Sequence, residues 1–127
     1  MSTKEVRLKL KAQLYCGDDI AMGPGKAALL EAIAAHRSIS AAGRALGMSY
    51  RRAWLLVDVM NRCWQTPLVT TTTGGPRGGG AALTPLGKDI LMHYRGLEKQ
   101  LAAATENADW VALAARVGSA RRTSDTE

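Results

Sequence analysis

The sequence has 127 residues, of which 46% are hydrophobic, so it is long enough for one domain with a real core and hardly long enough for two. It holds no run of about 18 apolar residues, and its N-terminus, MSTKEVRLKLK, has no apolar signal core, so we expect a cytoplasmic protein without a membrane span. The formal net charge of +6 is concentrated: residues 38–88 hold six basic residues against the single acid Asp58. That concentration is typical of a protein that binds a polyanion.

The chemistry-bearing residues are sparse. Cys16 and Cys63 are too few to frame disulfides, and with His36 and His93 they are too few to hold a metal. There are no paired carboxylates and no Ser/His/Asp set at a recognisable spacing. We therefore expect no enzyme activity, no metal and no cofactor.

The chain opens with an alternating pattern. From Val6 to Tyr15 apolar and polar residues alternate, which predicts a strand, and a turn at 17–19 leads to a short second strand at Ile20–Met22. Pro24 then opens a predicted helix that ends near His36. Its expected apolar stripe consists of Leu29, Leu30, Ile33 and Ala34.

Residues 38–63 contain two helical patterns separated by a break. Ser40 is a candidate cap for the first and Gly47 ends it, and Ser49 is a natural N-cap for a second helix from Tyr50 to Cys63. A short helix, a glycine-containing turn and a longer helix predict a helix-turn-helix, whose second helix usually enters a DNA major groove.

The periodicity of the second helix separates a core face from a polar face. The expected core face is Ala53, Trp54, Val57, Met60 and Trp64, and the opposite face is Arg51, Arg52, Leu55, Val59 and Arg62. Arginines in a first turn oppose the helix dipole, so phosphates or guanine edges would explain their presence. The alternative is a solvated basic face. Tyr50 is a weaker candidate because its position is nearer the core side.

A glycine-rich segment follows. Leu68–Thr72 and 81–83 read as strands joined by GGPRGGG, and this predicts the wing of a winged helix with Arg77 and Gly78 at its basic tip. A phosphate-binding loop is the competing interpretation, but the GxxxxGK[ST] pattern is missing.

Thr84 and Pro85 begin a last long helix, expected from Leu86 to about Ala104. Its apolar stripe has near-heptad spacing and predicts a dimer interface, although it could also pack on its own domain: Leu86, Ile90, Tyr94, Leu97 and Leu101. Residues 106–127 are expected to form a short docked segment, centred on Trp110, and a disordered tail from Ser119.

The chain resembles the N-terminal domain of the ModE family, bacterial molybdate-responsive transcription regulators. The resemblance lies in SISAAGRALGMSYRRAW (38–54), VDVMN (57–61) and TGGPRGGGAALTPLGKDIL (73–91). It implies a winged helix-turn-helix that binds double-stranded DNA as a homodimer. In full regulators of this kind a C-terminal pair of small β-barrels binds molybdate, and residues 106–127 are too few for one barrel, so we expect no molybdate binding.

The sequence thus predicts a mainly α fold with a small β component: a winged helix-turn-helix with an N-terminal strand or hairpin and a long C-terminal dimerisation helix. Residues 1–105 would form this domain, with dimerisation helix 85–105. The predicted function is sequence-specific transcription regulation; the alternatives are non-specific nucleoid-type binding or an interaction module for another subunit. The expected DNA contacts are Ser49, Tyr50, Arg51, Arg52, Leu55, Arg62, Arg44, Arg77 and Gly78.

Overall fold

A computed structural model describes residues 5–72 and 79–118 of the chain. In order, its elements are β1 (Leu14–Cys16), β2 (Asp19–Met22), α1 (Pro24–His36), α2 (Ile39–Ala45), α3 (Tyr50–Cys63), β3 (Val69–Thr72), β4 (Gly80–Leu83), α4 (Pro85–Ala104) and α5 (Ala108–Arg116). The predicted fold class is confirmed, since helices dominate and the strands form two antiparallel hairpins, β1–β2 and β3–β4. Within the described residues, no helix is long and apolar enough to span a membrane.

The chain divides into two compact units. The larger is Lys11–Glu98, which contains every element from β1 to β4 and most of α4. The smaller combines Met1–Leu10 with Lys99–Glu127, and the described part of it includes the end of α4 and all of α5.

The predicted N-terminal strand is much shorter than its alternating pattern suggests. Only Leu14–Cys16 pair, with β2, and residues 5–13 are not in a strand. The alternation was a poor guide because a strand needs a hydrogen-bonded neighbour along its length, and β2 has only four residues to offer. Leu8 and Leu10, which a packed strand would have buried, are 47% and 49% exposed.

Helix α1 supplies the centre of the core of the larger unit. Leu29, Leu30 and Ile33 are fully buried as predicted, but Ala34 is exposed and Ala27 is buried in its place. The helix ends at Arg37, which adopts a left-handed conformation with φ 59°. That conformation turns the Arg37 carbonyl toward β4, where it accepts a hydrogen bond from Ala81 N at 3.0 Å.

Helix α2 begins two residues earlier than predicted. Ser38, and not Ser40, is its N-cap, because the Ser38 Oγ accepts a hydrogen bond from Ala41 N at 3.1 Å. The earlier start places Ile39 in the first turn, where its side chain is 4% exposed in the core. Ser40 instead lies inside the helix.

Helix α4 is anchored to the loop before β3 by the predicted cap. The Thr84 Oγ1 accepts a hydrogen bond from Gly87 N at 2.9 Å and donates one to the Pro67 carbonyl at 2.8 Å. Thr84 N also donates to the Leu68 carbonyl at 2.9 Å. These bonds fix the start of α4 against the base of the β3–β4 hairpin.

Candidate nucleic-acid interface

The turn between α2 and α3 brings the two helices into close contact. A side chain added at Gly43 would place its Cβ only 3.1 Å from the Cβ of Ala53, so glycine at this position allows the approach. Gly47 in the turn has φ 71°, a conformation that glycine adopts without strain, and Met48 N returns to the Gly43 carbonyl at 2.9 Å. Helix α3 is therefore held in a fixed orientation by packing and by the turn itself.

The two faces of α3 divide as predicted except at Trp54, Trp64 and Val59, and Val59 is half-buried instead of exposed. Ala53, Val57 and Met60 are buried. Trp54, which the sequence placed in the core, is 38% exposed, and Trp64 is half-buried. Trp54 therefore lies at the edge of the buried stripe and not in the core.

Tyr50 is exposed rather than turned to the core. Its side chain is 63% exposed, and its ring meets that of Trp54 edge to face with centroids 6.1 Å apart. The pair forms an aromatic edge on the exposed side of α3. Tyr50 is therefore more accessible to a partner than the sequence suggested.

The exposed face of α3 carries Arg51, Arg52 and Leu55, and Leu55 is 52% exposed. In the described parts of the chain, the ion pairs are Arg62–Asp58, Arg95–Glu31 and Arg95–Glu98. Arg51 and Arg52 are thus exposed cations without a carboxylate partner among those residues.

Two further predicted arginines, Arg62 and Arg44, have local partners. Arg62 pairs with Asp58 at 3.1 Å, and Arg44 donates from Nη1 to the Ser40 Oγ at 3.3 Å. Both contacts are exposed and weak, so neither holds its arginine firmly.

The start of α3 is open to an anion. The Ser49 Oγ accepts a hydrogen bond from Arg52 N at 3.1 Å, and the first turn contains no acidic residue. The remaining first-turn N–H groups lack helical partners, as at any helix N-terminus. A phosphate at this point would meet these groups and the two arginines together.

Lys26, at the start of α1, is a cation that the sequence reasoning missed. Burial lowers its pKa, as does the positive charge of Arg52, while Cys63 and Asp19 act in the opposite direction. Lys26 is therefore near enough to Arg52 to interact with it. Only the fold could show this, because residues 26 and 52 belong to different helices.

Asn61 is the second residue that was missed, and it joins α3 to the β3–β4 hairpin. Its Oδ1 accepts hydrogen bonds from Leu68 N at 2.9 Å and Val69 N at 3.1 Å. Its Nδ2 donates to the Val69 carbonyl at 3.1 Å. A further bond, from Trp64 Nε1 to the Ala21 carbonyl at 3.1 Å, ties the end of α3 to β2.

The β3–β4 hairpin has the register of a wing. Val69 pairs with Leu83 and Thr72 with Gly80, and Gly80 N donates to the Thr72 Oγ1 at 3.1 Å. The predicted tip residues Arg77 and Gly78 lie outside the described residues.

The residues of the predicted dimer stripe on α4 differ in their exposure. Leu86 and Ile90 are half-buried against the core, and Tyr94 is 3% exposed, with its hydroxyl donating to the Ala12 carbonyl at 2.8 Å. Burial raises the pKa of this Tyr94 hydroxyl. Leu97, in the larger unit, is 39% exposed, and Leu101, in the smaller unit, is 36% exposed.

Helix α3 is capped, carries arginines in its first turn and follows a tight turn after α2. A two-stranded wing is fixed to its end. This arrangement defines a winged helix-turn-helix domain. Residues 26–88 match the family model described as "Bacterial regulatory helix-turn-helix protein, lysR family". This part of the chain is therefore similar to the DNA-binding domains of bacterial helix-turn-helix regulators.

The curated relatives confirm the resemblance to the ModE family. The molybdenum-pterin-binding protein MopB of Rhodobacter capsulatus is 46% identical over 81 residues, which are 64% of this chain and 30% of MopB. The molybdenum transport protein ModE of Azotobacter vinelandii is 41% identical over 61% of this chain and 29% of its own. The DNA-binding transcriptional dual regulator ModE of Escherichia coli (strain K12) is 38% identical over 71% of this chain and 33% of its own. The chain thus spans about a third of the length of the curated relatives it matches.

Proposed function

We propose that the chain is a sequence-specific, DNA-binding transcription regulator in which α3 enters the major groove. The observation that supports this most directly is the exposed Arg51–Arg52 pair in the capped first turn of α3. Arg51 and Arg52 read base edges or bind phosphates, Leu55 offers an apolar contact, and the N-terminus of α3 at Ser49 binds a backbone phosphate.

The other predicted residues surround this centre. Arg44 on α2 and Arg62 at the end of α3 contact the DNA backbone, each after giving up a weak exposed contact. Arg77 and Gly78, which the sequence predicts at the tip of the wing, contact the flanking backbone or minor groove. Tyr50 joins the direct contacts because its ring is exposed.

The working unit in this proposal is a homodimer, since a single recognition helix gives limited specificity and a two-fold pair demands two half-sites about one helical turn apart. Leu97 is the exposed apolar residue of the predicted stripe in the larger unit. Two of the three relatives described above have molybdenum in their names. We propose that the described domain binds DNA and that molybdate leaves its DNA affinity unchanged.

Selection of binding sites from a random duplex pool tests the proposal. Enrichment of a discrete palindromic motif is the expected result. Recovery of sequences without a shared motif would favour non-specific, nucleoid-type binding. A chain that retained no duplex at low salt would instead be an interaction module.

A further inference from the structure

The larger unit contains an open cleft that is lined by none of the residues proposed to contact DNA. It lies between α1, β4 and the first half of α4, and its volume is about 550 Å³. Pockets for small organic ligands in proteins usually have volumes of about 300–1,000 Å³. The cleft is therefore large enough to hold such a molecule.

The walls of the cleft are mainly apolar. Ile33 and Leu83 are buried side chains that form part of the lining, and Leu91 is half-buried. Met92, which also lines the cleft, is 60% exposed. A ligand with an apolar body would cover this surface.

All of the charged residues that line the cleft are basic: Arg37, Lys88 and Arg95. Arg95 is already occupied, because it donates to Glu31 at 2.7 and 3.0 Å and to Glu98 at 2.7 Å. Arg37 and Lys88 are exposed, and the ion pairs of the described residues do not include them. These two cations are free to bind a negative group beside the apolar walls.

We propose that this cleft binds a small organic anion, a carboxylate or sulfonate attached to an aromatic or otherwise apolar body. The anionic group would lie between Arg37 and Lys88, and the apolar body would rest on Ile33, Leu83 and Leu91. A nucleic-acid phosphate satisfies the cations but leaves the apolar walls in water, and a neutral apolar molecule does the reverse. An amphipathic anion satisfies both.

Fluorescence titration of the full chain with anilinonaphthalene sulfonate, an aromatic sulfonate, tests this proposal. N-phenylnaphthylamine, which has a similar aromatic framework and no sulfonate, is the matched probe. We expect the sulfonate to bind at one site and the neutral compound to bind at least about tenfold more weakly, since a charge-assisted hydrogen bond is lost.

Three variants locate the site. Lys88→Glu should weaken sulfonate binding by about tenfold or more, and Ala34→Phe, at an exposed position of the lining, should block the cleft without disturbing the core. Lys99→Glu makes the same charge change at an exposed position of α4 outside the cleft and should leave binding as in the wild type. Circular dichroism melting curves establish that each variant is folded.

The smaller unit provides an internal control. Its own cleft, lined by Leu8, Leu10, Trp110 and other residues, contains no cation. NMR shifts on adding the sulfonate should therefore appear at Leu83 and Leu91. Shifts at Leu8, Leu10 and Trp110 instead, or equal affinity of wild type and Lys88→Glu, would overturn the proposal. It would also be overturned if the sulfonate bound only after a self-associated species dissociated, because a second copy would then occupy the cleft.

Discussion

Asn61 makes three hydrogen bonds from one side chain, and all of them join the end of α3 to the start of β3. No other residue type of similar size can accept two backbone N–H groups and donate to a carbonyl in this arrangement. The orientation of the wing relative to α3 therefore depends on this amide.

Replacing Asn61 by alanine should lower the free energy of unfolding by about 1–3 kcal/mol, because Leu68 N and Val69 N lose their acceptor. It should also weaken DNA binding, since the wing is no longer fixed to α3. Urea denaturation and a DNA titration measure the two effects. Arg62→Ala, at the next position, removes only an exposed ion pair and should change stability by less than about 0.5 kcal/mol. Equal stability of the two variants would contradict this role for Asn61.

Two glycines of α4 should respond to alanine in opposite directions. A Cβ at Gly87 would overlap the Leu68 carbonyl, whereas a Cβ at Gly96 would meet nothing within 4 Å. Gly87→Ala should destabilise the fold by about 1–3 kcal/mol through overpacking, and Gly96→Ala should stabilise it by up to about 1 kcal/mol through helix propensity. Thermal melting of both variants measures these effects. A Gly87→Ala protein as stable as the wild type would show that α4 is not fixed against Leu68.

Glu31 should make stability depend on acid pH. Hydrogen bonds from Arg95 hold the pKa of this carboxyl below its usual value, against the smaller effect of burial. A carboxyl with a lowered folded-state pKa stabilises the fold above its unfolded pKa, and that contribution disappears as the pH falls through the folded value. The wild type should thus lose up to about 1 kcal/mol more than Glu31→Gln between neutral and acid pH, since the pair is partly exposed. The prediction would be refuted if the melting temperatures of the two proteins fell by the same amount across this pH range.

The residue-scale errors of the sequence reading share one cause. Both Ser38 and Ser40 can cap a helix, and only the burial of Ile39 selects Ser38. Trp54 has the correct periodicity for the core, but the space available there is set by other helices. Asn61 has no local signal, because its partners lie seven and eight residues further along the chain.

At the scale of elements, helices and hairpins followed from capping residues, prolines and glycines. The starts of α3 and α4 agree with the predicted caps Ser49 and Thr84. The N-terminal hairpin is present, but the predicted first strand was too long, because strand pairing is not a local property. The dimer interface on α4 stays a prediction. Because Leu97 is exposed, it is the residue of the predicted stripe that we choose to test this interface.

Leu97→Asp should therefore prevent dimerisation without unfolding the chain. Leu97 is 39% exposed, so the change leaves the core intact, whereas Tyr94 is buried and a change there would confound the result. Sedimentation equilibrium should give a dimer for the wild type and a monomer for the variant, with loss of most specific DNA binding. Lys99→Asp, also exposed on α4, is the control and should remain a dimer. A wild type that is monomeric at micromolar concentration would exclude this interface.

At the scale of the whole molecule, both the charge distribution and the fold support the proposal that this chain binds DNA. The described basic residues of 38–88 lie on α2, on α3 and at the start of α4, and residues 26–88 are the part that matches the regulatory family. The sequence could show this concentration of charge. It could not show which arginines have partners, because Arg95 meets Glu31 across 64 residues.

The proposed function depends most directly on the exposed arginines of α3, which we propose recognise DNA. Fluorescence anisotropy with the selected duplex, at one fixed salt concentration, should compare the wild type with the Arg51→Ala/Arg52→Ala double variant. Arg116→Ala, which removes an exposed cation of α5, is the control and should bind like the wild type. We expect a loss on the order of 1–3 kcal/mol of binding free energy for each arginine that reads a base. If the double variant kept a specific affinity within about a factor of two of the wild type, the role of these arginines in DNA recognition would be contradicted.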